Sequence, residues 1–216
     1  MKFLILALLL AVAASAQTPS TQTPSAQTTE PGFTSLWDGK TFNGWKKSTD
    51  NPATFRIEDG AIIANGPRCH LYYAGSVQGA NFKDFELKID VMTKPKANGG
   101  VYFHTEYQAD GWPVKGFEVQ VNNTHGDWRK SAGLYAVQDV KDALPDDEWF
   151  TEHIVVKGKN VKVFRNGEQV VDWNQPDNWK PPEGMEGRVL GAGTFALQGH
   201  DPGSTVYYKN IRVKPL

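Results

Sequence analysis

Between Phe33 and Leu216 apolar residues recur at every second position in short runs. In "GFEVQVNN", Phe117, Val119 and Val121 alternate with Glu118, Gln120 and Asn122. A strand sends successive side chains to opposite faces, so this stretch has one apolar face and one fully polar face. "DFELKIDVM" sets Phe85, Leu87, Ile89 and Val91 against charged partners, and "TFRIEDGAIIA" predicts a hairpin around Glu58-Asp59-Gly60. "HIVVKGKNVKVFRNGEQVVDW" predicts a three-stranded meander that turns first at Gly158 and then at Asn166-Gly167, a dipeptide suited to tight hairpins. "GTFALQGH" and "TVYYKNIRVKPL" supply the last strands, and no window keeps a helical period beyond two turns. The pattern predicts an all-β chain folded as a sandwich of two antiparallel sheets, with one domain over residues 32–216.

Several strands share an unusual polar face. "GGVYFHTEY" places Val101, Phe103 and Thr105 on one side and Tyr102, His104 and Glu106 on the other. "TFALQGH" opposes Phe195 and Leu197 to Gln198 and His200, and in "AGLYAVQD" Tyr135 opposes Leu134 and Ala136. With the apolar sets turned to the core, His104, Glu118, Gln120, Asn122, Tyr135, Gln198 and His200 are expected on one outer, concave face. Solvated strand faces are usually rich in Lys, Glu and Thr, whereas these positions carry His, Tyr, Gln and Asn. The expectation is therefore a small-molecule site rather than a wetted surface. His125 and Asp127, in the loop after the Glu118 strand, are placed to reach over the same face or to serve only as turn residues. His70 and His153 are read as structural.

The N-terminus adds an address. Lys2, the apolar run Phe3–Ala14 and Ala14-Ser15-Ala16 form a secretory signal peptide over residues 1–16, followed by a disordered Thr/Pro/Ser/Gln linker over 17–31. An exported protein is expected, periplasmic or extracellular, and without a cysteine at the cleavage site no lipid anchor is expected. Cys69 is the only cysteine, so the core holds without internal disulfides, and the thiol is read as a small buried residue. With 23 basic and 24 acidic residues the formal net charge is -1, which offers nothing to nucleic acid or an anionic membrane. The aromatic share of 12%, with seven Trp and seven Tyr, suits flat amphipathic ligands such as sugars.

Two imidazoles and one carboxylate admit two chemistries. They can serve as general acid and base, or His104, Glu118 and His200 can hold a divalent metal ion, although no local spacing requires a metal. No G-x-S-x-G elbow, phosphate loop or dinucleotide fingerprint occurs, and the Asn122-Asn123-Thr124 sequon is read as a chance match.

"FTSLWDGKTFNGWK", "GGVYFHTEY", "GFEVQVNN", "DEWFTEHIVVKGKNVKVFRNGEQV", "GTFALQGHD" and "YYKNIRVK" together resemble the 3-keto-disaccharide hydrolase family over nearly all of residues 32–216. The resemblance implies a concanavalin-like jelly-roll sandwich in an exported bacterial enzyme that cleaves glycosides already oxidised at C3. It matches Glu118 and Gln120 to the family's acid-containing strand, Gln198 and His200 to its "LQ.H" strand, and Tyr135 to its "tGalY" segment. His104 stands where many members carry Arg, and Asn122 where many carry Asp. The expected site therefore has Glu118, His200 and His104 as catalytic residues. Tyr102, Gln120, Asn122, His125, Tyr135 and Gln198 are expected to bind a small carbohydrate, a 3-keto-glycoside. A C3 ketone acidifies the C2 hydrogen, so a base can start an elimination that expels the C1 oxygen, and hydration completes the cleavage. A conventional glycoside hydrolase needs two carboxylates flanking C1, and the E-x-D-x-x-E pattern of sandwich-fold glucanases is absent: the strand reads Glu118, Gln120, Asn122. That enzyme class and a non-catalytic lectin-like module are the alternatives.

Overall fold

The computed structural model describes residues 30–216. The signal peptide over 1–16 and nearly all of the expected linker lie outside the described residues. The linker's last acid, Glu30, is tied down, paired with Lys88 and with Arg212 at 3.3 Å. Fifteen strands follow in chain order: β1 (Thr34–Ser35), β2 (Trp45–Lys47), β3 (Phe55–Glu58), β4 (Ala61–Asn65), β5 (Cys69–Tyr73), β6 (Phe85–Thr93), β7 (Gly99–Thr105) and β8 (Phe117–Val121), then β9 (Lys130–Leu134), β10 (Gln138–Val140), β11 (Phe150–Lys157), β12 (Asn160–Arg165), β13 (Glu168–Asn174), β14 (Thr194–Gly199) and β15 (Thr205–Pro215). Helix is limited to two short 3₁₀ turns, Pro52–Thr54 and Val77–Ala80. Among the described residues no helix is long and apolar enough to cross a membrane.

The strands form two antiparallel sheets. The first runs β13-β12-β11-β6-β15-β4-β3, with β1 on β15, and the second runs β10-β9-β8-β7-β14-β5-β2. The predicted turns are present. Asp59-Gly60 and Asn166-Gly167 both sit at positive φ, the geometry a two-residue hairpin needs to match strand twist. The meander is β11-β12-β13, with Ile154 opposite Val163 and Val163 opposite Val171.

Between the sheets lies the apolar core. Phe103, Phe117, Val119, Val121 and Leu197, the positions expected inside, are all at most 1% exposed. Phe103 stacks on Phe117 at 5.4 Å between ring centroids, and Phe82 stacks on Phe195 at 4.5 Å. Cys69 is a buried free thiol in this core, and burial raises its pKa and keeps it protonated.

The two sheets differ on their outer faces. β6, β11 and β12 alternate between buried and partly exposed residues, as expected of a sheet with one wet face. β7, β8 and β14 are buried at every position. Their polar outer face is therefore covered. Two long loops cover it, 106–116 between β7 and β8 and 175–193 between β13 and β14. They meet where Lys115 bridges to Gly187 and the Gly116 N–H donates to the Gly187 carbonyl at 3.0 Å. A Cβ at Gly187 would stand 1.8 Å from the Val114 carbonyl oxygen, so this loop junction has no room for a side chain.

Candidate active site

The covered face carries rows of side chains fixed by strand register. Lys46 on β2, Tyr72 on β5, Ala196 on β14, Tyr102 on β7 and Glu118 on β8 stand in successive cross-strand pairs. One step away, His70 pairs with Gln198, and Gly100 pairs with Gln120. Gly100 makes room in this second row: a Cβ there would lie 2.5 Å from Glu118 Oε1.

Glu118 is the centre of the site. Its carboxylate is buried, and both oxygens are engaged. Tyr102 Oη donates to Oε2 at 2.9 Å, Gln198 Nε2 donates to Oε1 at 3.2 Å, and the Arg188 guanidinium approaches Oε2 at 3.5 Å. Burial raises the Glu118 pKa, opposed by the positive charge of Arg188 and by the hydrogen bonds from Tyr102 and Gln198. Arg188 is itself held, donating to the Tyr135 carbonyl and lying over the Tyr135 ring at 5.1 Å. A cleft of about 760 Å³ opens above these groups, lined also by Asn98, Gln120, Trp112, Asp127 and His200. Gln120 Nε2 donates to Asn98 Oδ1 at 3.3 Å, while the buried Oε1 atoms of Gln120 and Gln198 have no donor among the described residues. Two buried acceptors without donors suit a ligand rich in hydroxyl groups.

His200 lines the same cleft, directly after the end of β14. Its Nδ1 is 2.8 Å from Asp201 Oδ2, and Asp201 is steadied by the Gly203 N–H at 2.7 Å and the Ser204 hydroxyl at 2.7 Å. Burial acts to raise the Asp201 pKa, but the bonds from Ser204, His200 and Gly203 outweigh it and hold the acid low. An ionised Asp201 accepts from Nδ1–H, which leaves Nε2 as the ring nitrogen free to meet a ligand. Trp112 packs on the His200 ring at 5.2 Å.

The structure brings Glu118, His200, Tyr102, Gln120, Tyr135 and Gln198 to one cleft. It does not bring in His104. His104 has a φ of 54°, and two β7 residues, Phe103 and His104, stand opposite the single β14 residue between Thr194 and Ala196. This bulge ends the strict alternation on which the expectation rested. The His104 ring turns to the sheet end, with Nε2 2.8 Å from the Lys83 carbonyl, Nδ1 accepting from Gly191 N–H at 3.3 Å, and Phe103 and Phe85 alongside. The expected convergence of His104, Glu118 and His200 is corrected accordingly, and so is the metal set built on it. Among the described residues no three His, Cys, Asp or Glu side chains are grouped as metal donors.

Asn122 is also diverted from the cleft. Its Nδ2 donates to the carbonyls of Asp127 and Arg129 at 2.9 and 2.7 Å, and its Oδ1 accepts from the His125 N–H at 2.9 Å. It shapes the loop after β8 instead of lining the cleft. His125 lies at the edge of the cleft, its ring 6.0 Å from that of His200, with Nδ1 accepting from the Asp127 N–H at 3.1 Å. Arg188, Trp112, Asn98 and Asp201 were not expected. The first three come from loops and turns, where no strand parity marks a residue. Asp201 is recognisable only as the acid that follows His200.

The fold and the cleft define a two-sheet sandwich carrying a covered, hydroxyl-accepting site with one buried carboxylate and one carboxylate-held imidazole. Residues 32–214 match the family model described as the 3-keto-alpha-glucoside-1,2-lyase-like domain, and the chain belongs to that family. A curated relative, the 3-keto-disaccharide hydrolase of Bacteroides thetaiotaomicron, is 28% identical over 232 aligned residues, covering 86% of this chain and 79% of the relative. A crystal structure of a candidate glycosyl hydrolase from Parabacteroides distasonis superposes with a TM-score of 0.73 at 25% identity, covering 86% of this chain and 94% of that one. The carbohydrate-binding module CBM66 of Bacillus subtilis shares the fold at 14% identity, with a TM-score of 0.56 over 79% of this chain and 95% of the module. The chain is thus a carbohydrate-acting, hydrolase-like sandwich.

Proposed function

We propose that the protein cleaves the glycosidic bond of 3-keto-glycosides by elimination and hydration. The observation that carries this reading is that Glu118, buried and held by Tyr102, Gln198 and Arg188, lines the same cleft as the His200–Asp201 couple.

Glu118 is the base at C2. Its raised pKa brings the carboxylate closer to neutrality, where a general base works best. The C–H pair moves into the ring as the C3 oxygen becomes an enolate, and the buried Arg188 guanidinium is the charge that stabilises it. The enolate then re-forms its carbonyl, a C1–C2 double bond forms, and the C1–O bond breaks. His200, oriented by Asp201, gives the leaving oxygen its proton. Water adds at C1, the proton on Glu118 exchanges with solvent through the open cleft, and Glu118 then protonates C2. The net change is addition of one water across the glycosidic bond, with no change in oxidation state.

A conventional hydrolase would need a second free carboxylate over the cleft. The Asp127 carboxylate accepts from the Arg129 N–H at 3.0 Å and pairs with its guanidinium at 3.6 Å, and Glu186 accepts the Gly184 N–H at 2.9 Å. A lectin-like module would have no use for a buried carboxylate in one cleft with a carboxylate-held imidazole. The test is substrate choice: the protein should cleave a 3-keto-glucoside and leave its unoxidised parent intact. Comparable cleavage of both would make it an ordinary hydrolase, and binding without cleavage of either would make it a lectin. Export belongs to the same proposal, supported by the leader sequence, and predicts mature protein beginning at Gln17 outside the cytoplasm.

A further inference from the structure

The polar face continues past the cleft onto β5, where His70 and Tyr72 stand beside Gln198 and Ala196. Both are buried, at 0% and 1% exposure, yet neither ring nitrogen of His70 has a hydrogen-bond partner among the described residues, and Tyr72 Oη meets only the Gln108 backbone of the covering loop. Two unpartnered nitrogens on one buried ring are costly, and such groups call for a role. Tyr72, Ala196 and Tyr102 form a small buried patch of their own, separate from the core between the sheets. Its cover is the loop 106–116. Trp112 lies edge-on to His70 at 5.7 Å and Tyr107 edge-on to Tyr72 at 5.4 Å, and both are exposed on their other side, at 43% and 37%.

Beyond its junction with loop 175–193 at Lys115 and Gly187, the part of this cover over β5 is held at its rim. Thr49 N–H and Oγ1 donate to the Ala109 carbonyl at 2.7 and 3.0 Å, and Lys46 and Arg68 stack over Tyr107 and Trp112 at 3.6 and 5.5 Å. The floor beneath is an aromatic surface with hydrogen-bonding groups at its edge, the combination that holds a sugar ring. Burial keeps His70 neutral, with a pKa near 3, so it offers one donor and one acceptor to hydroxyls and no charge.

The geometry points to a second sugar subsite on β5, floored by His70 and Tyr72, adjoining the Glu118 cleft and admitting the leaving-group sugar when Trp112 and Tyr107 swing aside. The assignment rests on the 3-keto-glycoside reading for its place in the reaction. Recognition would be by stacking on the tyrosines and hydroxyl bonds to His70 and Tyr72, so a neutral hexose is the expected occupant.

The test uses the full mature chain and the His70→Phe variant, which keeps a ring between Tyr102 and Trp112 and removes both unpartnered nitrogens. Steady-state kinetics are measured with a 3-keto-disaccharide and with a methyl 3-keto-glucoside, which has no leaving-group sugar. The subsite predicts that KM for the disaccharide rises at least tenfold, that KM for the methyl glycoside changes less than twofold, and that melting is unchanged or raised. Equal effects on both substrates, or none on either, overturn it. A second measurement needs no variant and no turnover: ¹⁵N NMR of the wild-type His70 ring during titration with glucose. A saturable shift of the His70 nitrogens supports the subsite, and no shift up to 100 mM glucose, an arbitrary ceiling on the order of a hundredfold above a typical KM, overturns it. Failure of the wild type to cleave either 3-keto compound would remove the proposed reaction while leaving the glucose titration to decide the subsite.

Discussion

His70 makes the acid stability of the protein predictable. It is fully buried, and burial lowers its pKa from 6.5 to about 3, with Arg68 and His200 adding in the same direction and Asp50 opposing. The unfolded chain therefore takes up a proton at this residue below pH 6.5, whereas the folded chain does not until about pH 3. The folded-state pKa of this base is depressed, so its stabilising effect is complete above pH 6.5 and drains away as pH falls toward 3. At about 1.4 kcal/mol per pH unit, folding loses about 2 kcal/mol between pH 6.5 and 5 through this residue alone. His70→Phe removes the effect and leaves the carboxylates and other histidines as they are. Urea unfolding of both proteins at pH 7.5, 6.5, 5.5 and 5.0 isolates it: the variant should gain on the wild type progressively below pH 6.5, by about 2 kcal/mol at pH 5. Parallel pH dependences would show that His70 is protonated in the folded chain, and the account of a neutral, unpartnered imidazole would fall.

Other consequences follow from the same geometry. Glu118→Gln keeps the shape but removes the proposed base and one of the two oxygens that accept from Tyr102, Gln198 and Arg188, and kcat should drop by roughly 10²–10⁴-fold in a protein that remains folded. His200→Ala should lower kcat for a poor leaving group far more than for an activated aryl glycoside, because only the poor one needs an acid; equal losses would argue against His200 as the proton donor. Gly100→Ala should abolish activity in a folded protein, since its Cβ would press on Glu118 Oε1 at 2.5 Å, and near-normal turnover would show that the carboxylate does not need its present position. Glu152, buried in β11 with one oxygen accepting from the Ala132 N–H at 3.2 Å, has its pKa raised well above the ordinary value by burial. Its contribution to stability is therefore fully present at low pH and is lost as pH rises through the folded-state value. Glu152→Gln should become more stable relative to wild type as pH increases, as unfolding in urea at several pH values would show.

Strand periodicity made the sandwich legible because burial on one face enforces it over whole segments. Phe117, Val119 and Val121 could not all reach the core in any other register. The same parity located Glu118, Gln120, Tyr102, Gln198 and His200 in one cleft. It failed at His104, where a single left-handed residue makes a bulge and turns the ring aside, and alternation carries no mark of that break. It failed again at Asn122, whose amide is occupied by the carbonyls of its own loop. Arg188 was invisible for a different reason. It arrives from a loop 70 residues after Glu118, and only tertiary closure of 175–193 over the sheet brings them together. His70 was read as structural, and its two ring nitrogens find no partner among the described residues, which no pattern in the sequence marks.

In the proposed reaction a proton leaves C2 of an oxidised sugar, and the fate of that proton can be read in the product. A 3-keto-glucoside is cleaved in deuterated water, and the released 3-keto sugar is analysed at once by mass spectrometry and NMR, with enzyme-free 3-keto sugar as the control for spontaneous exchange. One deuterium is expected at C2 in each molecule of product, lost together with turnover in Glu118→Gln. Cleavage at full rate with C2 unlabelled would mean that the bond is broken at C1 without an enolate, and the mechanism built on Glu118, Arg188 and His200 would be wrong.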